Sequence, residues 1–427
     1  MKASYLISKD KQRKVLVVNF MQKYFKDLGF KEYQNEKYSF KFFKNIRDYI
    51  LKLLLVFNNS KILFENPPKK KIIIFDCESQ DTLLKIVDKN DCFILSTRIK
   101  NFKEIYLSLN ILRKMVVNLF SLKLKINYLL SLIETISPKV VITHVCHSTD
   151  FHIISKKINK KYGFVAFQHA HHDLIALSQS SQKLIHIPNL VCFSDYEKEI
   201  YKKKKFDIKN FYVLGSLRSG IFNENVLTKC KDLIKNENKY DICLVSEAHY
   251  ILNGDLSEVS NYPGHAGKIA QYVFKLRQKK NLKVIFSGDT EPNSVFSKFE
   301  FHFYKHFLKD YNFDIIQKKR IYFPTYEAFS QSKLVIGSTS TILREALGFE
   351  KKILSCNFSG NYHIDFPIKG ICFLKDCEYD EFEERVMKIL SLNKKDYFNK
   401  IDHDYKYLMY PEKNNINKFK NIINSHL

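Results

Sequence analysis

No tryptophan occurs in the 427 residues, and no low-complexity stretch or internal repeat interrupts them. Hydrophobic residues make up 45% and charged residues 27%, so disorder is not the default and the chain is long enough for two domains with separate cores. No run reaches the roughly 18 apolar residues that a membrane-spanning helix needs. Lys2 and Lys9 are not followed by an uninterrupted apolar stretch, so no secretory signal is expected. The nine cysteines are odd in number and form no CxxC pair, which argues against a disulfide framework and a zinc-finger site. Several fall inside apolar strands, where a reduced thiol acts as a small hydrophobe. The pattern is that expected of a cytoplasmic protein.

Acid is the scarce charge. Against 70 lysines and arginines stand 45 aspartates and glutamates, a net charge of +25. Such a field attracts polyanions: nucleic acid, anionic membrane, nucleotide sugars or acidic glycans. No RNP-like aromatic pattern, zinc-finger spacing or helix-turn-helix accompanies it, so nucleic acid is not the expected partner. Residues 1–70 hold 16 basic side chains against 6 acidic ones. Segments 15–25 and 40–57 place Phe and Leu at three- and four-residue spacing with Lys between them, as amphipathic helices do. They suit the headgroup region of an anionic inner membrane, or equally the flank of a catalytic domain. Pro67-Pro68 ends the region.

From Lys71 onward, buried strands alternate with helical patterns. Strands are expected at 71–75, 92–96, 139–144, 164–167, 190–193 and 211–214. After Ser219-Gly220 the alternation restarts at 240–245, 283–287, 314–317 and 334–337, with helices between. Short apolar strands separated by helices imply parallel sheets covered on both faces. The division expected is 1–70, basic and helical; 71–220 and 221–390, two doubly wound Rossmann-like domains facing a cleft; and 391–427, closing helices.

Leu334-Val-Ile-Gly-Ser-Thr-Ser-Thr-Ile-Leu-Arg-Glu-Ala-Leu-Gly348 carries the most chemistry. An apolar run ends in Gly337, four hydroxyl residues follow, and a helix begins. Ser338, Thr339, Ser340 and Thr341 would place hydroxyls and backbone N–H groups at a positive helix end, which suits a phosphate; they would also simply cap the helix. Glu345, one turn further, is within reach of ribose hydroxyls. Tyr326 precedes the unit, Glu300-Phe-His-Phe-Tyr304 follows a strand, and Phe211-Tyr-Val-Leu-Gly-Ser-Leu-Arg218 ends the first half. In this order the segments resemble the donor-domain signature, the "E..fY" element and the "V.GSlR" hinge of GT-B bacterial surface-carbohydrate biosynthesis proteins (capsule and lipopolysaccharide), over about residues 70 to 390. The resemblance implies a glycosyltransferase that needs no divalent ion and no cofactor beyond a nucleotide-activated sugar used as substrate. It places Ser338–Thr341, Glu345, Tyr326 and Arg218 around the donor. Arg218 would meet the donor phosphates or pair with a surface carboxylate.

Glycosyl transfer needs a base for the acceptor hydroxyl. In parallel sheets, ligands bind beyond the carboxyl ends of the strands, and three polar loops lie there in the first half. Asp76 and Glu78 follow one strand, His144, His147, Ser148 and Asp150 another, and Gln168-His-Ala-His-His-Asp173 a third. The last holds three imidazoles and a carboxylate within five residues, but reads Gln168-His169-Ala170 where the resembling family usually has "QnG". His169 and Asp150 are the two base candidates, and a carboxylate beside an imidazole would also let the pair act jointly by fixing its tautomer. His171 and His172, being adjacent, do not complete a metal ligand set. Asp289 lines a cleft or makes a turn.

The expected activity is transfer of a sugar to a surface polysaccharide or lipid-linked glycan on the inner face of the plasma membrane. A CDP-polyol-dependent polyol-phosphate transferase of the same fold is the alternative within the enzyme class. A non-catalytic glycan- or membrane-binding protein is the alternative outside it.

Overall fold

The computed structural model describes residues 60–78, 80–97, 103–117, 123–171, 185–204, 206–224, 238–248, 262–288, 290–293, 295–316, 323–410 and 415–427. The amino-terminal helices expected at 15–25 and 40–57 lie outside these, as do His172, Asp173 and Asp289. The chain forms two compact units, one comprising Ile46–Lys231 with Lys406–Leu427, the other containing Asp232–Tyr405.

The first unit contains β1 (Lys61–Leu63), β2 (Ile72–Phe75), β3 (Cys92–Leu95), β4 (Glu104–Tyr106), β5 (Val140–Thr143), β6 (Gly163–Phe167), β7 (His186–Cys192) and β8 (Asp207–Val213). Six of them form one parallel sheet in the order β3-β2-β5-β6-β7-β8, while β1 pairs with β4 alongside. Ile72-Ile-Ile-Phe75 and Val140-Val-Ile-Thr143 are buried throughout, the mark of a sheet covered on both faces. Each such apolar side chain contributes about 1.5–3 kcal/mol on burial. Among the described residues, its helices longer than four residues are α1 (Leu109–Val117), α2 (Leu124–Ile136), α3 (Thr149–Ile158), α4 (Asp195–Lys203) and α5 (Leu217–Phe222). Ser148 caps α3, its hydroxyl accepting the Phe151 N–H at 3.4 Å.

The second unit contains β9 (Tyr240–Val245), α6 (Tyr262–Lys280), β10 (Val284–Ser287), α7 (Val295–Phe307), β11 (Ile315–Ile316), α8 (Pro324–Ser330), β12 (Ser332–Gly337), α9 (Thr341–Gly348), β13 (Lys352–Asn357), β14 (Phe373–Lys375), α10 (Tyr379–Ser391) and α11 (Lys394–Phe398). Its sheet is parallel, in the order β11-β10-β9-β12-β13-β14. Numbered within the unit this is 3-2-1-4-5-6, the order of dinucleotide-binding folds. The strand order reverses between β9 and β12 here, and between β2 and β5 in the first unit. Ligands of such sheets bind at the carboxyl ends on either side of that reversal.

The final helix, α12 (Asn415–Asn424), belongs to the first unit. Ile416, Phe419, Ile422 and Ile423 form its buried stripe, and Phe419 meets Phe167 edge-on at 5.9 Å. The Tyr410 N–H donates to Phe193 O at 2.9 Å, leading the chain back. Gly163 accommodates the return: a Cβ there would lie 2.8 Å from the His426 ring. The spacing of these residues specifies a closing helix but not which sheet it closes.

Candidate functional site

In the second unit, β12 ends in Gly337 and the Ser338–Ser340 turn leads into α9, with Ser340 as its N-cap. This is the strand–turn–helix junction that the sequence implies, and it sits beside the β9/β12 reversal. The amide hydrogens expected to be free are engaged. The Ser338 and Ser340 N–H groups donate to Glu247 Oε1 at 2.8 and 3.2 Å, and the Thr339 hydroxyl donates to Oε2 at 3.4 Å. Glu247 lies two residues beyond β9, so an internal carboxylate bridges the reversal and sits on the donors that a phosphate would use. Ser340 Oγ itself accepts the Ile342 N–H at 3.4 Å.

Ser338 also differs from the expectation in its side chain. It is fully buried, and its Oγ lies 2.8 Å from His265 Nε2. The Phe358 N–H donates to His265 Nδ1 at 3.0 Å. An amide only donates, so Nδ1 is the acceptor and Nε2–H donates to Ser338. This geometry holds the serine in place and does not activate it as a nucleophile. Burial lowers the His265 pKa to about 3, so the ring is neutral near pH 7.

The "E..fY" element works from beneath. Glu300 on α7 is buried and accepts from Ser246 Oγ and Thr290 Oγ1, each at 2.5 Å, tying the loops after β9 and β10 together. The Tyr304 hydroxyl accepts the Glu247 N–H at 3.0 Å, which fixes where the bridging carboxylate starts. Glu345 and Arg344 are buried on α9, while Thr341 is partly exposed. Tyr326 is buried on α8 in an aromatic group, its ring 5.5 Å from Phe323, 5.2 Å from Phe329 and 6.2 Å from Phe349. Aromatic packing therefore holds the Tyr326 ring in place.

In the first unit, the loops after β2, β5 and β6 come to one edge. Asp76 adopts φ 73°, is buried, and uses both carboxylate oxygens: Oδ2 accepts from Thr97 Oγ1 at 2.8 Å and Oδ1 from the Glu78 N–H at 3.0 Å. Asp tolerates this left-handed geometry because its side chain bonds the local backbone. His144, His147 and His169 gather in the loops after β5 and β6. Ring centroids of His144 and His169 lie 6.0 Å apart, those of His147 and His169 4.9 Å apart. Cys146 Sγ is 3.8 Å from His169 Nδ1. Burial holds the His144 pKa well below its usual value, helped by the positive charge of Arg218. Ser216 Oγ accepts the Ser219 N–H at 3.4 Å, capping the helix that carries Arg218. Asp150 does not join the cluster through an ion pair of its own: its Oδ2 is 2.6 Å from Lys125 Nζ on α2. Lying in the first turn of α3, it is aimed at the neighbouring helix.

Sequence reasoning missed Glu247 and His265. A glutamate two residues after the buried run Ile242–Val245 is the signal that was available for Glu247. His265 carries none, because its partners lie 73 and 93 residues away in the chain.

No family model matches the chain, and no curated protein matches it. Solved structures do. The S. aureus MnaA–UDP co-structure aligns with a TM-score of 0.50 at 12% identity, covering 84% of this chain and 96% of that one. The wall teichoic acid polymerase TagF gives 0.49 at 9% identity, covering 90% and 96%. A glycosyltransferase from Rickettsia africae ESF-5 gives 0.44 at 13% identity, covering 84% and 98%. At these identities the likeness is one of fold: the chain carries two doubly wound, Rossmann-like α/β domains of the GT-B kind.

Proposed function

We propose that this protein is a transferase that takes a sugar from a nucleotide-activated donor and passes it to a bacterial surface polysaccharide or lipid-linked glycan. One observation carries the reading: a hydroxyl-rich turn opens α9 at the strand-order reversal of a 3-2-1-4-5-6 sheet, where such folds hold nucleotides. Fold alone does not specify activity; the turn supplies the hydroxyls and amides that a nucleotide's phosphates need. MnaA, of similar fold, was solved with UDP, in keeping with a nucleotide ligand here. The donor's diphosphate takes the Ser338 and Ser340 amides and the Thr341 hydroxyl, displacing the Glu247 carboxylate. Glu345 serves the ribose. On the first unit, His169 accepts the acceptor's proton and Arg218 contributes positive charge.

Nucleotides of this kind raise the melting temperature of the full-length protein, because a ligand specific to the native state stabilises it by mass action. Replacing Ser340 and Thr341 together by alanine weakens that binding by about 1–3 kcal/mol, the scale of lost hydrogen bonds to a charged group. Glu247→Gln keeps an acceptor but removes the competing charge, and tightens binding. Calorimetric titration with UDP, GDP and CDP checks both. A panel that leaves the melting temperature unmoved, or a folded double variant with unchanged affinity, sinks the donor-site reading. The nucleotide released during transfer separates nucleoside monophosphate chemistry, including CDP-polyol use, from diphosphate chemistry.

The acceptor's location at an anionic inner membrane is part of the same proposal. Among the described residues no helix is long and apolar enough to cross a membrane. On α1, however, Leu109, Leu112 and Val116 are exposed at helical spacing, with Val117 and Phe64 also open to solvent. Arg113 is exposed beside this apolar face, the combination that favours an anionic lipid surface. The double variant Leu109→Glu/Val116→Glu is expected to sediment with anionic liposomes at least tenfold more weakly than wild type, since inserting each side chain is worth on the order of 1.5 kcal/mol or more. Equal sedimentation, or binding indifferent to salt, counts against the membrane assignment.

A further inference from the structure

We infer that Cys146, His147 and His169 form a binding site for a transition-metal ion of the Zn²⁺ class. Register brings them together: Thr143 of β5 pairs with Ala166 of β6, and the three residues follow within a few positions of that pair. Each offers one ligand atom, and these atoms all lie within 4.8 Å of one another. Tetrahedral zinc, with Zn–S of about 2.3 Å and Zn–N of about 2.0–2.1 Å, requires an S···N separation of about 3.6 Å and an N···N separation of about 3.4 Å. The Cys146 Sγ to His169 Nδ1 distance is 3.8 Å, already near that requirement. His147 is exposed, so its ring is able to rotate into the set without disturbing the core.

The burial gradient fits as well. Cys146 is buried, His169 half-buried and His147 open, so protein closes one side and solvent reaches the other. Three protein ligands with a solvent-facing fourth position is the open type of zinc site, and the same face provides an entry path. One thiolate with two imidazoles selects zinc over magnesium or calcium, which take oxygen ligands. Binding displaces the thiol proton to solvent, and the resulting thiolate offsets part of the ion's charge. The site stands on its own geometry, apart from the transfer reading. Where both hold, the ion occupies an imidazole that the transfer reaction uses, and zinc loading slows transfer.

The test uses the full chain, treated with chelator and titrated with Zn²⁺ alone, then with Co²⁺ as a spectroscopic probe. One ion per chain is expected, with a thiolate-to-cobalt charge-transfer band. Cys146→Ser abolishes the band. His169→Ala and His147→Ala each weaken zinc by more than the roughly 10–100-fold that loss of an outer-shell partner costs. His147 is exposed, so its variant tests the ligand set even where the Cys146 variant folds poorly. Absence of one-to-one binding, absence of the cobalt band, or zinc affinity retained in the His147 or His169 variant overturns the assignment. The 3.8 Å contact is then a thiol–imidazole hydrogen bond.

Discussion

His169→Ala is expected to lower transfer turnover by about 10²–10⁴-fold while donor affinity stays close to wild type, the signature of a lost general base. The imidazole stands at the carboxyl edge of the first unit's sheet, with His147 and His144 rings 4.9 and 6.0 Å away. It comes from the loop that follows β6, where ligands of parallel sheets sit. His144 is the weaker choice, because burial and the charge of Arg218 hold its pKa well below the usual range and leave it a poor proton acceptor. Asp150 is committed to Lys125 at 2.6 Å, so Asp150→Asn should change turnover far less than His169→Ala. Single-turnover kinetics on chelator-treated protein, with donor affinity measured in parallel, make the comparison. Turnover retained in His169→Ala would reduce this residue to a structural role and turn attention to Glu78. Loss of donor binding instead would place the loop in the nucleotide site.

The second large effect is on stability in acid. His265 is buried with a pKa of about 3, against the ordinary value of 6.5. The folded state therefore binds no proton there while the unfolded chain does. The stabilisation is fully present above pH 6.5 and is lost as the pH falls towards 3. Each pH unit in that window removes about 1.4 kcal/mol, so on the order of 3 kcal/mol is gone by pH 4. His265→Gln should be less stable than wild type at pH 7, having lost the fit between Ser338 and the Phe358 amide. The gap should narrow as the pH falls, because glutamine has no proton to take up. Urea unfolding of both proteins at pH 7, 5.5 and 4 measures it. Curves that stay parallel would show that His265 does not couple the Ser338 turn to acid.

Both sheets were legible in the sequence because parallel strands buried on two faces are continuous apolar runs. Ile72–Phe75, Val140–Thr143 and Leu334–Gly337 need no knowledge of their neighbours to be recognised. The junction at Ser338–Thr341 was legible for a similar reason: a strand end, hydroxyl residues and a helical period follow one another in the chain. What the turn binds in the free protein was not, since Glu247 reaches it from 91 residues away. The same limit hid the Cys146–His169 contact, which spans 23 residues and two adjacent strands.

The sequence by itself determined local matters: alternating strand and helix, the restart near residue 220, the loops that carry histidines and hydroxyls, and an excess of positive charge. These depend on period and composition, which neighbouring residues express. Tertiary structure alone decided strand order, hence which loops flank each reversal. It also decided that α12 closes the first unit, that Tyr326 packs among aromatic rings, and that Asp150 pairs with Lys125. An amphipathic stripe or a carboxylate states what it needs, apolar cover or a positive partner. Several places in a chain of this length meet each need, and only the packed sheet brings one of them within reach.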